Sequence, residues 1–556
     1  MPRRRSASFA AVPDAGEKRP ETTEPRGNGK FDAADQLLHV GTYRSLGEQK
    51  LSPAEERFEK GRRTIGLFLA PVVLVVMLLL PLDLPNDQQT LAACLLFVIV
   101  LWISEAVPIP IGGLIGVGMI VLLGGSSSDD VLAPFGDSTV FTFIGAFILA
   151  AAMLKHGVAR RFAFRILSLP GVGRSTSRVI IAFGLITCLL SAFVSNTATV
   201  AMLLPTALGI LTVIANLMQE RGIGTHEGRI DATRLRVGVA LMLMLAYGAS
   251  VGGLLTPVGS PPNLIGRDLI EDATDTEISF AEWMGMAIPI CAAMFVVLAV
   301  ILLLLNKPEI KELSGVEEYV AEERAQLGKL SRAEKNTLFA FAFTVSLWIL
   351  PGILAVVFGE TSSVYVDTYA RLDEGIVAVL GASLLFLLPV DWERREFTLN
   401  WSDAAGIDWG TIILFGTGII FGTLLADTGL AETVGTGASG VLGLSTTFAI
   451  TAFAVLLAIV VSETTSNTAS AAVVVPIILP IAMAANVDPF VPGLAATFAA
   501  SFGFMLPVST PQNAIVYGSG VVPITKMIRS GFSFDIIGAI LILLVLPLMV
   551  TIVGAN

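Results

Sequence analysis

The chain has 556 residues, of which 54% are hydrophobic and only 15% are charged. Its mean hydropathy of +0.77 is far above that of a water-soluble domain, which makes the lipid bilayer its expected solvent. The net charge of −11 argues against nucleic acid as a partner, and the lack of HExxH, CxxC and Walker A patterns argues against a common hydrolase or ATPase, so we expect neither enzyme activity nor a cofactor.

The N-terminal segment, residues 1–62, is rich in Arg, Glu, Pro, Gly and Ser and has little apolar periodicity. This composition predicts a disordered tail on the cytoplasmic side. Near its end, Ser52-Pro53-Ala54-Glu55 fits a capping box with proline at the first helical position. We expect a short helix there, leading into the first membrane span.

Apolar runs in the rest of the chain predict an all-α polytopic membrane protein with eleven transmembrane helices and two re-entrant hairpins. The first half, 63–305, contains a hairpin at 179–217 and a broken helix at 237–265. A cytoplasmic linker, 306–337, leads to the second half, 338–556, with a hairpin at 448–484 and a broken helix at 493–524. The remaining spans are expected near 65–82, 90–108, 109–125, 139–154, 286–305, 338–358, 375–390, 409–425 and 536–553.

The distribution of Lys and Arg supports this topology in a plasma membrane. With a cytoplasmic N-terminus, basic residues concentrate in the loops assigned to the cytoplasm, whereas the loops on the other side carry only Arg267 and Arg371. If either hairpin crossed the membrane once, this bias would be lost. Each hairpin is therefore expected to return to the side from which it entered, and the C-terminus is expected outside the cytoplasm.

Two pairs of segments repeat in the same order in both halves. SNTATVAMLLP (Ser195–Pro205) matches SNTASAAVVVP (Ser466–Pro476), and GLLTPVGSPPNLI (Gly253–Ile265) matches GFMLPVSTPQNAI (Gly503–Ile515). Because the predicted hairpins enter from opposite sides, the halves form an inverted repeat, as in many secondary transporters.

These four segments are the places where polar residues and helix breakers cluster inside apolar sequence. The hairpin limbs are at the short end for a full crossing, so we expect each turn near mid-membrane. Unwound backbone at that depth is tolerated only in protein or beside a cavity. Small polar residues also serve simply as contacts between membrane helices. Two copies, each followed by a matching break, favour a binding site instead.

With WISEAVPIP (Trp102–Pro110) and SETTSNTAS (Ser462–Ser470), these motifs resemble the divalent anion:sodium symporter family, which includes sodium-coupled dicarboxylate and citrate carriers. The resemblance runs from about residue 63 to the C-terminus and implies an elevator-type homodimer. One departure is Thr417, where the family pattern has a glycine.

The resemblance also implies the roles of individual residues. It assigns the substrate carboxylates to two sets of side chains and prolines: Ser195, Asn196, Thr197 and Pro261 in the first half, and Ser466, Asn467, Thr468 and Pro511 in the second. It assigns sodium to the hairpin tips and breaks: Ser195, Asn196, Gly253, Gly259, Thr465, Ser466, Asn467, Ser509 and Thr510.

Glu463 lies just before the second signature, and an ionisable residue inside a membrane is a functional candidate. It either accepts hydrogen bonds from the hairpin or has an ion-linked role. Glu105 is interpreted as a turn at a membrane boundary, and Lys155 and His156 as cytoplasmic anchors.

We therefore expect sodium-coupled symport of C4-dicarboxylates (succinate, malate or fumarate) or of citrate, with sodium as the coupling ion. A dicarboxylate needs positive charge that the predicted site does not supply from Lys or Arg, so bound cations are expected to supply it. The alternatives are a carrier for sulfate or another oxyanion, a sodium-independent dicarboxylate exchanger and, in a different class, an anion channel.

Overall fold

The computed structural model describes residues 53–221, 235–313, 315–359, 361–442 and 444–553, so most of the predicted tail lies outside the described residues. The helices are α1 Pro53–Leu79, α2 Asn86–Ser104, α3 Ile109–Leu122, α4 Ser128–Leu132, α5 Ser138–Lys155, α6 Val158–Leu167, α7 Thr176–Ser191, α8 Asn196–Glu220, α9 Arg236–Gly253, α10 Pro261–Thr274, α11 Phe280–Leu305, α12 Val316–Gln326, α13 Arg332–Phe358, α14 Ser363–Tyr369, α15 Glu374–Leu387, α16 Trp401–Ala405, α17 Trp409–Asp427, α18 Leu430–Leu442, α19 Thr447–Thr464, α20 Asn467–Ala484, α21 Phe490–Ala500, α22 Pro511–Gly518 and α23 Ile524–Val553. Two 3₁₀ turns, Ala133–Gly136 and Pro257–Gly259, and one antiparallel pair, β1 Pro389–Asp391 with β2 Glu396–Phe397, complete the regular structure of these ranges.

The first helix differs from the prediction. Pro53 is its first residue, as the capping pattern indicates, because proline lacks only an N–H that the first turn does not use. The helix then continues to Leu79 without interruption. The separate short helix that we expected before the first span is therefore part of α1.

Eleven helices in the described ranges are long and apolar enough to cross a membrane, which confirms an all-α polytopic membrane protein. Their identity differs in part from the prediction. The hairpin limbs α8, α19 and α20 qualify, whereas α3 and α15 have only 14 residues each, about 21 Å of helix. The predicted spans 109–125 and 375–390 are thus shorter than expected.

The two hairpins form at the predicted positions, but one limb is longer than expected. Residues 192–195 connect α7 to α8, and residues 465–466 connect α19 to α20. α8 has 25 residues, about 37 Å of helix, which exceeds a hydrocarbon core of about 30 Å. The expectation that both limbs are short is therefore wrong for α8, and limb length does not fix the depth of the turns.

Both predicted helix breaks are present. α9 ends at Gly253 and α10 begins at Pro261, while α21 ends at Ala500 and α22 begins at Pro511. The proline at the start of each second helix has no N–H to continue the preceding one.

Arg267 was expected in an outer loop, but it lies on α10, which continues to Thr274. Its side chain is 12% exposed, and its guanidinium pairs with Glu271 at 2.9 Å and with Glu374 at 2.7 Å. The positive charge is buried because two carboxylates neutralise it.

The helices pack into two groups. One contains α1, α2, α3, α5, α13, α15 and α17; the other contains both hairpins with α9, α10, α11, α21, α22 and α23. α9 lies at the centre of the second group, where 94% of its 18 residues are buried. In α1 and α13, only 17% of the most apolar 18-residue stretch is buried. Large apolar side chains such as Leu122 and Val356, 80% and 88% exposed, form surfaces suited to lipid.

The helix that follows each break packs against the other half of the chain. α10, which follows the first break, packs on α20 and α21 of the second half. α22, which follows the second break, packs on α8 and α9 of the first half. Each hairpin therefore lies beside the break of its own half and beside the helix that follows the break of the other.

Candidate functional site

The turn of the first hairpin carries the first Ser-Asn-Thr signature. Ser195 caps α8, and its hydroxyl oxygen accepts a hydrogen bond from Ala198 N at 3.3 Å. Asn196 is buried, and its Oδ1 accepts a hydrogen bond from the hydroxyl of Ser191 at 2.6 Å. Thr197 is half-buried, and its hydroxyl has no hydrogen-bond partner in the described part of the chain. The turn thus fixes the amide and leaves a hydroxyl available to a ligand.

The second hairpin repeats this arrangement. Ser466 caps α20 and accepts a hydrogen bond from Ala469 N at 3.2 Å. Oδ1 of Asn467 accepts from the hydroxyl of Ser462 at 2.9 Å, and its Nδ2 donates to Ser501 O at 3.3 Å. Each signature asparagine is therefore held by the serine five residues before it, at the end of the first limb.

Thr465 and Thr468 lie on either side of the second signature's cap. Thr465 is buried and donates its hydroxyl proton to Val461 O at 2.7 Å, which leaves the lone pairs of the hydroxyl oxygen as possible ligands for a cation. Thr468 is half-buried, and among the described residues its hydroxyl has no partner, as at Thr197.

An asparagine at the start of α10 forms hydrogen bonds to the backbone of the first break. Nδ2 of Asn263 donates to Gly253 O at 2.7 Å and to Thr256 O at 2.8 Å. The side chain is fully buried, and its Oδ1 has no hydrogen-bond partner in the described structure. A buried acceptor without a donor is unfavourable unless a ligand completes it.

An asparagine at the start of α22 forms the same kind of hydrogen bonds to the backbone of the second break. Nδ2 of Asn513 donates to Gly503 O at 2.7 Å and to Leu506 O at 3.1 Å, and its Oδ1 is also buried without a partner within the described ranges. Thr510 caps the following helix and accepts a hydrogen bond from Asn513 N at 3.4 Å.

Several oxygen atoms lie close to the two glycines of the first break. A Cβ at Gly253 would lie 2.5 Å from Asn196 Oδ1, and one at Gly259 would lie 2.6 Å from Gly253 O and 2.9 Å from Ala192 O. The hydroxyl of Thr256 also donates to Ala192 O. Carbonyl and amide oxygens are the ligands that hard cations prefer, so the chemistry of these atoms is of the kind that the predicted sodium site requires. The sodium site of the first half stays a prediction.

Two polar side chains of the second half stand at positions where the first half has alanine and glycine. Glu463 occupies the position that matches Ala192, and Ser509 the position that matches Gly259. Oε1 of Glu463 accepts a hydrogen bond from Met505 N at 2.7 Å, and Oε2 accepts from the Ser509 hydroxyl at 2.9 Å. The two acceptor bonds attach the hairpin to the break, so Glu463 accepts hydrogen bonds from the break and not from the hairpin as predicted, and its ion-linked role stays a prediction.

The predicted prolines begin the two helices that follow the breaks. Pro261 is half-buried at the start of α10, and Pro511 is exposed at the start of α22. Nε2 of Gln512 donates to the hydroxyl of Ser250 on α9 at 3.0 Å. This bond connects the second break to the first half within one helical turn of Gly253.

A guanidinium approaches the second hairpin from α1. Nη1 of Arg62 donates to Thr464 O at 3.4 Å and to Ile103 O at 3.2 Å, and Nη2 lies 3.2 Å from Oε2 of Glu105. Glu105 ends α2 in the left-handed conformation, as expected for a turn. The charge of Arg62 is thus already matched by a carboxylate.

Sequence reasoning missed several residues of the site. Asn263 and Asn513 stand at matching positions of the quoted repeat, and Ser191 and Ser462 at matching positions before the signatures, so the repeat itself contained the signal. The contact of Arg62 with the hairpin joins distant parts of the chain and leaves no local pattern.

Residues 62–554 match the family described as the sodium:sulfate symporter transmembrane region. The sodium-dependent dicarboxylate transporter SdcS of Staphylococcus saprophyticus is 32% identical over 493 residues, covering 87% of this chain and 91% of that protein. SdcS of Staphylococcus aureus is 32% identical over 509 residues, covering 90% and 94%. Among solved structures, MtrF of Neisseria gonorrhoeae gives a TM-score of 0.47 at 14% identity, with 85% of this chain and 96% of that chain covered.

Proposed function

The chain belongs to the family described as the sodium:sulfate symporter transmembrane region, and from that premise we propose that it couples sodium to the uptake of C4-dicarboxylates or citrate across the plasma membrane. Membership makes it a multi-pass membrane transporter and not an enzyme. Relatives that span most of the chain are named sodium-dependent dicarboxylate transporters, which favours a carboxylate over sulfate as the substrate.

The observation that carries the proposal is the matched pair of hairpin tips. In each, the amide of Asn196 or Asn467 is held by a serine, and a signature threonine keeps a free hydroxyl within the described structure. An amide offers donors to a carboxylate and an oxygen to a cation. Two such tips suit a substrate with two carboxylates and a cation near each end.

Charge balance supports cation coupling. A dicarboxylate brings about two negative charges, and each helix N-terminus offers only about half an elementary charge in return. The two guanidiniums nearest these segments, Arg62 and Arg267, are already paired with glutamates. Sodium ions held by the carbonyl and amide oxygens of the breaks would supply the remaining charge.

The packing supports an elevator movement. Both hairpins and both breaks belong to one group of helices, so the whole site can move as a unit past the other group. The contact of Arg62 with Thr464 joins the two groups. We propose that this contact breaks during each cycle and that the protein works as a homodimer with its N-terminus in the cytoplasm and its C-terminus outside.

Uptake into proteoliposomes tests the function. Radiolabelled succinate should accumulate with an inward sodium gradient and not when choline replaces sodium, and unlabelled malate, fumarate or citrate should compete. Competition by sulfate alone would favour the oxyanion alternative. Uptake without sodium but with internal dicarboxylate would favour exchange, and a flux that does not saturate would favour a channel.

Cross-linking tests the movement. Cysteines would be placed at positions 62 and 464 after replacement of the native Cys94, Cys188 and Cys291 by serine. A bifunctional thiol reagent with a cleavable spacer about as long as an arginine side chain should stop uptake, and reductive cleavage of the spacer should restore it, since the contact is made by the end of the Arg62 side chain and lies beyond the reach of a direct disulfide. Unchanged uptake by the cross-linked protein would show that this contact persists during transport.

A further inference from the structure

A cavity of about 690 Å³ lies between helix α12 and the loop that joins α6 to α7. Residues 167–171 and Arg174 line it from the side of the loop, and Glu317, Val320 and Arg324 line it from α12. Its volume is within the range of about 300–1,000 Å³ that is common for ligand sites. None of its described lining residues is predicted to bind substrate or sodium, so the cavity is separate from the candidate transport site.

The two walls of the cavity are joined to each other. Leu313 N, just before α12, donates to Arg174 O at 3.0 Å. A Cβ at Gly173 would lie 2.6 Å from Cγ of Glu317, so the loop packs directly against α12. The loop follows the span α5 and the short helix α6, and α12 follows the span α11. The cavity therefore lies outside the spans, at one face of the membrane.

Guanidinium groups supply most of the charge of this cavity. Nε of Arg174 lies 3.1 Å from Oε1 of Glu317, whereas the guanidinium of Arg324 has no ion pair or hydrogen-bond partner in the described part of the chain. Nη1 of Arg178 donates to Gly171 O, in the cavity wall, at 3.2 Å. Three positive charges therefore lie in or beside the cavity with one carboxylate, and this excess attracts an anion.

Arg324 differs from the neighbouring arginines. Arg160 and Arg161 of α6 each pair with a glutamate, at 2.5 and 2.7 Å. The positions three and four residues before Arg324, which share its face of α12, are Ala321 and Val320, so neither supplies a carboxylate. The side chain of Arg324 is exposed. Its planar guanidinium is therefore available to a ligand, and phosphate is the anion that such a group binds through two parallel hydrogen bonds.

Much of the remaining lining is apolar and includes Leu167, Leu169 and Val320. Leu169 is 55% exposed, and Phe162 on the adjacent helix α6 is 37% exposed. Because α6 begins at Val158, directly after the span α5, these side chains lie close to the membrane surface. A free phosphate ion would leave them in water, whereas the acyl chains of a lipid would cover them.

We propose that the cavity between the α6–α7 loop and α12 binds the phosphate headgroup of an anionic phospholipid. Arg324 and Arg174 bond the phosphate oxygens, and Leu169 and Phe162 lie against the acyl chains. The bound lipid attaches the start of the first hairpin and the linker between the two halves to the same membrane surface. This inference goes beyond the proposed function and does not rest on it.

Lipid binding to the purified full-length protein in detergent, followed by native mass spectrometry, tests the proposal. The wild type should bind phosphatidylglycerol more tightly than phosphatidylcholine with the same acyl chains. Arg324→Gln should weaken phosphatidylglycerol binding about fivefold, the effect of one basic residue at an anionic membrane surface. Glu317→Gln should strengthen it, because the competing carboxylate is removed. Arg332→Gln is the matched control, since this exposed arginine at the start of α13 does not line the cavity and should bind as the wild type does.

Three results would overturn the proposal: equal affinity of the wild type for the two lipids, wild-type phosphatidylglycerol affinity in Arg324→Gln, or weaker binding by Glu317→Gln. Thermal unfolding would show that the variants fold, as expected for exposed side chains. Glycerol 3-phosphate distinguishes a lipid from a soluble phosphate ester. It should not displace phosphatidylglycerol when present at the same concentration, and displacement would overturn the lipid as the ligand. Binding is measured without transport, so failure here leaves the proposed function untouched.

Discussion

Gly253 lies directly against Asn196, so that a Cβ at position 253 would be 2.5 Å from the amide Oδ1. Gly503 repeats this relationship with Asn467 at 2.8 Å. In the first half the last residue of α9, and in the second half a residue inside the break, shares one small space with the hairpin tip. Because glycine has no side chain, the amide that would bind substrate and cation has room to lie against the backbone at this position.

Gly253→Ala and Gly503→Ala should each reduce uptake. Overpacking of a close contact costs about 1–3 kcal/mol, which corresponds to about 5- to 150-fold in affinity. Initial rates of succinate uptake at several concentrations would measure the loss. Gly118→Ala on α3 is the matched control, since a Cβ there meets nothing within 4 Å and alanine favours a helix. Equal activity of all three variants would contradict the role assigned to these contacts.

Asn196→Ala and Asn467→Ala should abolish uptake without loss of folded protein, because each removes donors and an oxygen ligand together. Gel filtration and thermal unfolding would establish that the variants fold. Wild-type transport by either variant would contradict the substrate role of its signature.

Ser191→Ala and Ser462→Ala should have smaller effects than the asparagine variants. These hydroxyls donate to the asparagine Oδ1 at 2.6 and 2.9 Å, and such a bond contributes about 0.5–1.5 kcal/mol. We expect weaker sodium and succinate affinity with a nearly unchanged maximal rate. A loss as complete as that of Asn196→Ala would mean that the serines themselves bind the ligand.

The signatures and breaks could be predicted from sequence because glycine, proline and the Ser-Asn-Thr turn act locally. Their partners could not. Asn263 bridges two carbonyls, and Arg267 bonds to Glu374 far along the chain. Span identity was misjudged because helix ends do not follow the ends of apolar runs: α8 continues past residue 217 to Glu220, whereas α3 ends at Leu122.

Arg267→Met should destabilise the protein more than Glu374→Gln does. Removal of one partner from a buried ion pair costs about 3–5 kcal/mol, and the loss of Arg267 leaves two glutamates unpaired. Thermal unfolding in detergent would rank the variants. A midpoint for Arg267→Met equal to that of the wild type would contradict the importance of this cluster.

The contact between Lys155 and Asp403 predicts a pH-dependent contribution to stability on the side assigned to the cytoplasm. Burial raises the pKa of Asp403, but the hydrogen bonds from Lys155 at 2.6 Å and from Asn400 N at 2.9 Å, together with the charge of Lys155, outweigh it and leave the pKa below its ordinary value. A lowered carboxyl pKa adds stability above the unfolded pKa of about 3.9, and this stability is lost as pH falls through the folded pKa. Asp403→Asn should therefore lower the unfolding midpoint near pH 7 and make little difference in strong acid. An equal difference at both pH values would contradict this account.

Sodium coupling is the central claim, and succinate binding to the purified protein at fixed pH, with sodium varied and ionic strength kept constant with choline, tests it most directly. If the ions held at the two breaks supply the charge that the substrate lacks, succinate affinity should rise steeply with sodium and fall when choline replaces it. Asn196→Ala should lose that dependence. A succinate affinity that is the same with and without sodium would contradict the account.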